Sequence, residues 1–146
     1  MKTRALVMAG MMALTAMAST RVAQAQELVV NIPFDFVADN MTLPAGEYSI
    51  TVTAPEQTLL LTNRKDAAAS GFMNTHAVVK TQIQTESKMI FNRYGDRYFL
   101  SEVWTAGNSR GRQLLKSARE KEMAQIAKSE TQGQVTLVAG LPRTNR

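Results

Sequence analysis

The chain has 146 residues, with 17 Lys plus Arg against 12 Asp plus Glu, one His, no Cys and a formal net charge of +5. That length suits one domain, because a single hydrophobic core typically serves about 100–200 residues. The absence of cysteine excludes a disulfide scaffold, a thiolate metal site, a cysteine nucleophile and a lipidated-cysteine anchor, and one histidine excludes a histidine-rich metal cage.

The N-terminal stretch reads as an export leader. Lys2 and Arg4 form a positive start, Ala5 to Ser19 carries no charge, and Ala23-Gln24-Ala25 fits the small-x-small pattern that signal peptidase accepts. Residues 1–25 are therefore expected to be removed after Ala25, leaving 26–146 as one β-rich domain. The uncharged run is shorter than the roughly 20 apolar residues a membrane-spanning helix needs. Without Lys2, Arg4 and Arg21 the mature chain keeps 14 basic and 12 acidic groups, a net +2.

The mature chain reads mainly as strands. Leu28, Val30, Ile32, Phe34 and Phe36 alternate with polar residues, the mark of a half-buried strand, which Pro33 makes an edge strand or bends. Leu43-Pro44-Ala45-Gly46 is a turn, and Tyr48, Ile50 and Val52 alternate through the next strand, Glu47 to Thr53. Ala54-Pro55-Glu56 is a second turn, Gln57 to Thr62 a third strand and Asn63 to Ser70 a loop. Gly71 to Lys80 and Lys88 to Tyr94 are further strands. Gly95-Asp96 closes a two-residue hairpin into the strand that starts at Arg97. At that register Arg93 pairs with Tyr98, Phe91 with Leu100 and Met89 with Glu102. One face then holds Met89, Phe91, Arg93, Tyr98, Leu100, Glu102 and Trp104, and the other Ile90, Asn92, Tyr94, Phe99 and Val103. Both faces hold large apolar groups, so the hairpin is expected to be central and covered on both sides.

Thr105 to Arg112 reads as a flexible loop. Ser117-Ala118-Arg119-Glu120 fits a capping box, opening a helix over Ala118–Lys128 with Met123, Ile126 and Ala127 as its apolar stripe. Gln134 to Ala139 is a last strand, with a mobile tail from about residue 141. The fold class is mainly β: an antiparallel sandwich or small barrel of six to seven strands with one helix in the C-terminal half.

Several patterns occur in a fixed order: Pro33-Phe34-Asp35-Phe36, Leu43-Pro44-Ala45-Gly46-Glu47-Tyr48, Arg93-Tyr94-Gly95-Asp96-Arg97-Tyr98-Phe99-Leu100 with Trp104, and Gly111-Arg112 leading to Ser117-Ala118-Arg119-Glu120. Together they resemble a family of small exported bacterial proteins of unassigned function. The resemblance runs from about Val30 to Glu122. It implies export and a compact β-rich domain, and it brings no catalytic residue.

Enzymatic chemistry finds little support. His76 lies inside a strand, and no Gly-x-Ser-x-Gly elbow accompanies it. Asp35, Asp96 and Glu102 are the carboxylates that could run acid–base chemistry, but a chain this small offers little room for a glycosidase cleft. Zinc spacing, calcium loops and phosphate-cradling glycine loops are absent. Asn40-Met41-Thr42 matches a glycosylation sequon. Arg93, Tyr98 and Trp104 form the candidate binding group, where charge and cation–π contact would hold an anionic or planar ligand. The competing reading makes Arg93 a structural partner of Tyr98.

Charge is polarised: Gln26 to Asn92 is net −3, and Arg93 to Arg146 is net +5. Arg110, Arg112, Lys116, Arg119 and Lys121 form a candidate patch for an anionic surface. Nucleic acid is not an expected partner, because aromatic platforms are missing among these charges. The expectation is a non-enzymatic exported β-domain, periplasmic or secreted, without cofactor or metal. It would bind an envelope protein, an anionic surface or a small ligand, or act structurally. The alternative is a small carboxylate-dependent hydrolase or isomerase.

Overall fold

The computed structural model describes residues 27–53, 58–127 and 131–140. The leader, the Ala54-Pro55-Glu56 turn and the tail from about residue 141 lie outside the described residues.

Apolar alternation drives the first layer. β1 (Glu27–Ile32) pairs antiparallel with β4 (Gly46–Thr53), β4 with β5 (Thr58–Asn63), and β5 with the first half of β6 (Ser70–Val79). Leu28, Val30, Ile32, Tyr48, Ile50, Leu59, Leu61 and Met73 point inward and are buried. The expected strand from Leu28 to Phe36 is broken at Pro33. That residue cannot donate to a ladder, and β2 (Phe36–Ala38) begins afresh beyond it. A short hairpin from β2 to β3 (Met41–Leu43) turns at Asp39, whose φ of 55° is a left-handed value that Asp tolerates. Sequence alternation does not signal this hairpin.

The second half of β6 crosses to β9 (Arg110–Leu114), which pairs in turn with β8 (Arg97–Trp104). The expected loop Thr105–Arg112 is therefore loop only in its first part. β9 forms despite its polar sequence because strands flank it on both sides. β8 pairs with β7 (Ser87–Tyr94), and β7 with β10 (Gln132–Ala139). β2 adds to β8 in parallel through Val37 and Phe99, so the otherwise antiparallel sheet is mixed. At the far end, Val29 and Gly140 exchange two hydrogen bonds of 2.9 and 2.8 Å, so the curled sheet meets itself at one point. The described residues thus hold ten strands, more than the six to seven expected, around one inner core that gathers side chains from Leu28 to Ala139.

The β7–β8 hairpin departs from its expected register. Gly95 takes the turn with φ of 61°, and Arg93 faces Tyr98 as expected. Between Ile90 and Phe91 the register slips, so Met89 faces Val103 and Ile90 faces Glu102. The bulge at Ser101 reverses every side chain beyond it. Tyr98, Leu100 and Val103 share the inner face, while Glu102 and Trp104 move to the outer face with Phe99.

Helix α1 (Ala118–Ile126) covers that outer face, so the hairpin is covered on both sides as anticipated. Met123, Ala124 and Ala127 pack on Val37, Tyr94 and Phe99. Ile126, assigned to the apolar stripe, is instead 69% exposed. The helix ends earlier than the expected Lys128, with Ala127 as its C-cap. Half of the capping box forms: the Glu120 amide donates to Ser117 Oγ at 3.2 Å. The Glu120 carboxylate does not return to the Ser117 amide but turns into the sheet.

Candidate functional site

The predicted group of Arg93, Tyr98 and Trp104 is divided by the bulge. Arg93 and Tyr98 are cross-strand neighbours on the inner face. Phe34 lies in the link between β1 and β2 and closes this end of the core. Its ring stacks on Tyr98 with centroids 3.8 Å apart, and meets Phe91 edge-on at 5.2 Å. One face of Tyr98 is thus occupied, and Arg93 stands exposed beside it. On its other side Arg93 faces Gly133 of β10, where a Cβ would meet nothing within 4 Å. Among the described residues Arg64 and Glu47 form the one salt bridge, so Arg93 is a cation beside open space.

Trp104 belongs to a separate structural cluster. It is 1% exposed, its Nε1–H donates to Glu102 Oε2 at 2.7 Å, and the Lys80 ammonium lies 4.3 Å from its ring centroid. Gly111 lies under the ring, where a Cβ would come within 2.6 Å of it. Loops before and after the cluster are tied together by Lys80 N to Ser109 O and Gly107 N to Gln84 O.

The candidate carboxylates do not converge. Asp35 Oδ1 accepts the Ala45 amide at 2.8 Å, fastening the Pro33–Phe36 segment to the Leu43–Tyr48 turn. Glu102 is engaged by Trp104, and Asp96 sits exposed in the β7–β8 turn. His76 pairs with Gln113 on the exposed face where β6 meets β9, Nε2 to Oε1 at 2.8 Å. Among the described residues no three His, Asp or Glu side chains gather as metal ligands would.

The basic residues are spread over three segments. Arg110 and Arg112 lie on β9, Lys116 on the link to the helix, and Arg119 and Lys121 on α1. Arg119 donates to Thr42 Oγ1 of β3 at 3.3 Å, and the Lys116 charge opposes the rise of the Tyr94 phenol.

Among the described residues, the most deeply buried carboxylate was not one of the predicted site residues. Glu120 is 4% exposed and accepts from Asn92 Nδ2 at 2.9 Å and from the Tyr94 hydroxyl at 3.2 Å. Burial raises the Tyr94 phenol above its ordinary value, and the Glu120 charge adds to the rise. A capping-box motif hides this role, because it predicts the same carboxylate at the helix end. The last strand expected over Gln134–Ala139 forms as β10 and begins two residues earlier, within a stretch from Thr131 to Pro142 that carries no charge.

No helix among the described residues is long and apolar enough to cross a membrane. No family model, curated protein or solved structure matches this chain.

Proposed function

We propose that the chain is an exported, non-enzymatic β-domain that binds a partner at the cell envelope, periplasmic or secreted, and uses no cofactor. The observation that carries this reading is the leader sequence: Lys2 and Arg4, the uncharged run from Ala5 to Ser19, and Ala23-Gln24-Ala25. Leu28, three residues past Ala25, belongs to the described core. The non-enzymatic part is supported by the employment of the candidate groups: Asp35 holds a turn amide, Glu102 an indole and Glu120 a helix.

Expression of the full chain in a bacterial host tests the proposal. The expected result is recovery in the periplasmic or secreted fraction, with a mass that begins at Gln26. Full-length chain retained in the cytoplasm overturns it.

A further inference from the structure

β10 is an unusual edge. Natural sheets guard exposed edges with lysine, proline, bulges or very short strands. β10 has eight residues, no charge and no proline. Its full length pairs with β7 on one side. On the other side the described residues supply one bridge, at Gly140 just beyond its end. β1 flanks β10 at that Gly140 end, and towards Gln132 no described strand pairs with the outer side of β10. The inward-facing Val135 and Leu137 touch the core yet remain half-exposed.

The Gln132 end of this edge carries a charge. Arg93 faces Gly133 across the β7–β10 ladder. Strands lie about 4.8 Å apart, so a strand added outside β10 would sit two spacings from β7. A side chain at position 133 would block Arg93 from reaching it. Glycine leaves the path open, and an extended arginine spans that distance over the bare backbone.

We propose that the free edge of β10 accepts an extended segment of a partner protein as an added antiparallel strand, whose carboxylate-bearing C-terminal end pairs with Arg93 across Gly133. Backbone hydrogen bonds supply the affinity, alternate apolar side chains cover Val135 and Leu137, and the arginine fixes direction and register. An antiparallel strand on β10 ends beside Gly133, which brings its carboxylate to the cation. Charge complementarity favours this occupant over a second β10 strand, which has no carboxylate side chain to offer Arg93.

The inference rests on the binding role proposed above, and its test is independent of where the protein travels. The probe is a fluorescein-labelled peptide, Thr-Val-Thr-Val-Thr-Asp with a free carboxyl end, whose Asp and Val side chains share one face opposite Gly133, Val135 and Leu137, titrated into the chain as purified from expressing cells. Fluorescence anisotropy should show saturable binding. Arg93→Glu should weaken it about tenfold, as expected for losing an opposite charge and gaining a like one. The same variant should leave binding of the Asn-amide version of the peptide within about twofold. Hydrogen exchange should show new protection confined to residues 132–139. The proposal is overturned by absence of binding, by equal sensitivity of both peptides to Arg93→Glu, or by protection elsewhere. Protection without peptide of the β10 amides that face away from β7, together with a dimer in sedimentation, overturns it in favour of a second copy. Cytoplasmic retention with intact peptide binding removes the export reading and leaves the edge standing.

Discussion

Tyr48 lies wholly inside the core, yet its hydroxyl donates to the Pro44 carbonyl at 2.7 Å, four residues back along the same chain. The bond fixes the turn into β4 as a tyrosine corner fixes a sandwich edge. Phe36 meets the same ring edge-on at 5.3 Å, and a Cβ on Gly46 would press within 2.9 Å of the Asn63 amide. The short patterns at Pro33–Phe36 and Leu43–Tyr48 are thus two halves of one fastening. Tyr48→Phe keeps the packing and leaves Pro44 O without its partner, so it should cost about 1–2 kcal/mol in urea unfolding. The contact between Gly111 and Trp104 is tighter. Gly111→Ala forces a methyl into the indole ring and should destabilise by about 1–3 kcal/mol. Because Trp104 is the sole tryptophan, its emission should also shift to longer wavelength in the folded variant.

At the scale of elements, α1 is a polar helix held by few groups. Met123, Ala124 and Ala127 contribute a small apolar contact, Gln132 Nε2 donates to the carbonyls of Ala124 and Ala127 at 3.0 Å, and Glu120 anchors the first turn. Helices this short are marginal without tertiary contacts. Glu120→Leu leaves Asn92 Nδ2 and the Tyr94 hydroxyl without that acceptor, and should cost about 1–3 kcal/mol. Hydrogen exchange should accelerate through residues 118–126 while the amides of β7 stay protected. Glu120→Gln keeps an acceptor oxygen and should lose less. Equal exchange in both variants would show that apolar packing alone holds the helix. The outer elements were also the less legible ones. Strands β1, β4 and β5 were readable because an inside and an outside impose a period of two on their side chains. The bulge at Ser101 leaves no such trace, since Leu100-Ser101-Glu102-Val103 suits either register. That one extra residue separates Trp104 from Arg93, so the candidate site was half legible: the Arg93–Tyr98 pair, without its tryptophan. β9 reads as loop because Gly111 serves the Trp104 ring and its neighbours are polar. Only flanking strands make it a strand.

At the scale of the molecule, the core joins Leu28 near one end of the described chain to Ala139 near the other, and the Val29–Gly140 pair ties those ends together. One inner core shared by strands from both ends of the described chain makes cooperative unfolding the expectation. This lets single buried groups govern the pH dependence of the whole. The Tyr48 phenol is raised above its ordinary value of 10.0, chiefly by burial; Asn63 opposes the rise, and Asp35 and Asp66 add to it. Tyr94 is raised as well, by burial and then by Glu120. A raised phenol keeps its proton in the folded state at a pH where the unfolded chain has lost it. The unfolded state then binds fewer protons, so stability falls as pH rises. The contribution of both tyrosines is complete below about pH 10 and is lost as pH climbs through their folded values, with a limiting slope of about 1.4 kcal/mol per unit for each group. Urea midpoints measured from pH 8 to pH 11.5 should therefore hold nearly level and then drop. Lysines titrate in the same range, so the comparison that decides is the double variant Tyr48→Phe, Tyr94→Phe. It should begin less stable at pH 8 and decline less steeply above pH 10. A parallel decline would assign the alkaline loss to lysines and remove the buried phenols from the account.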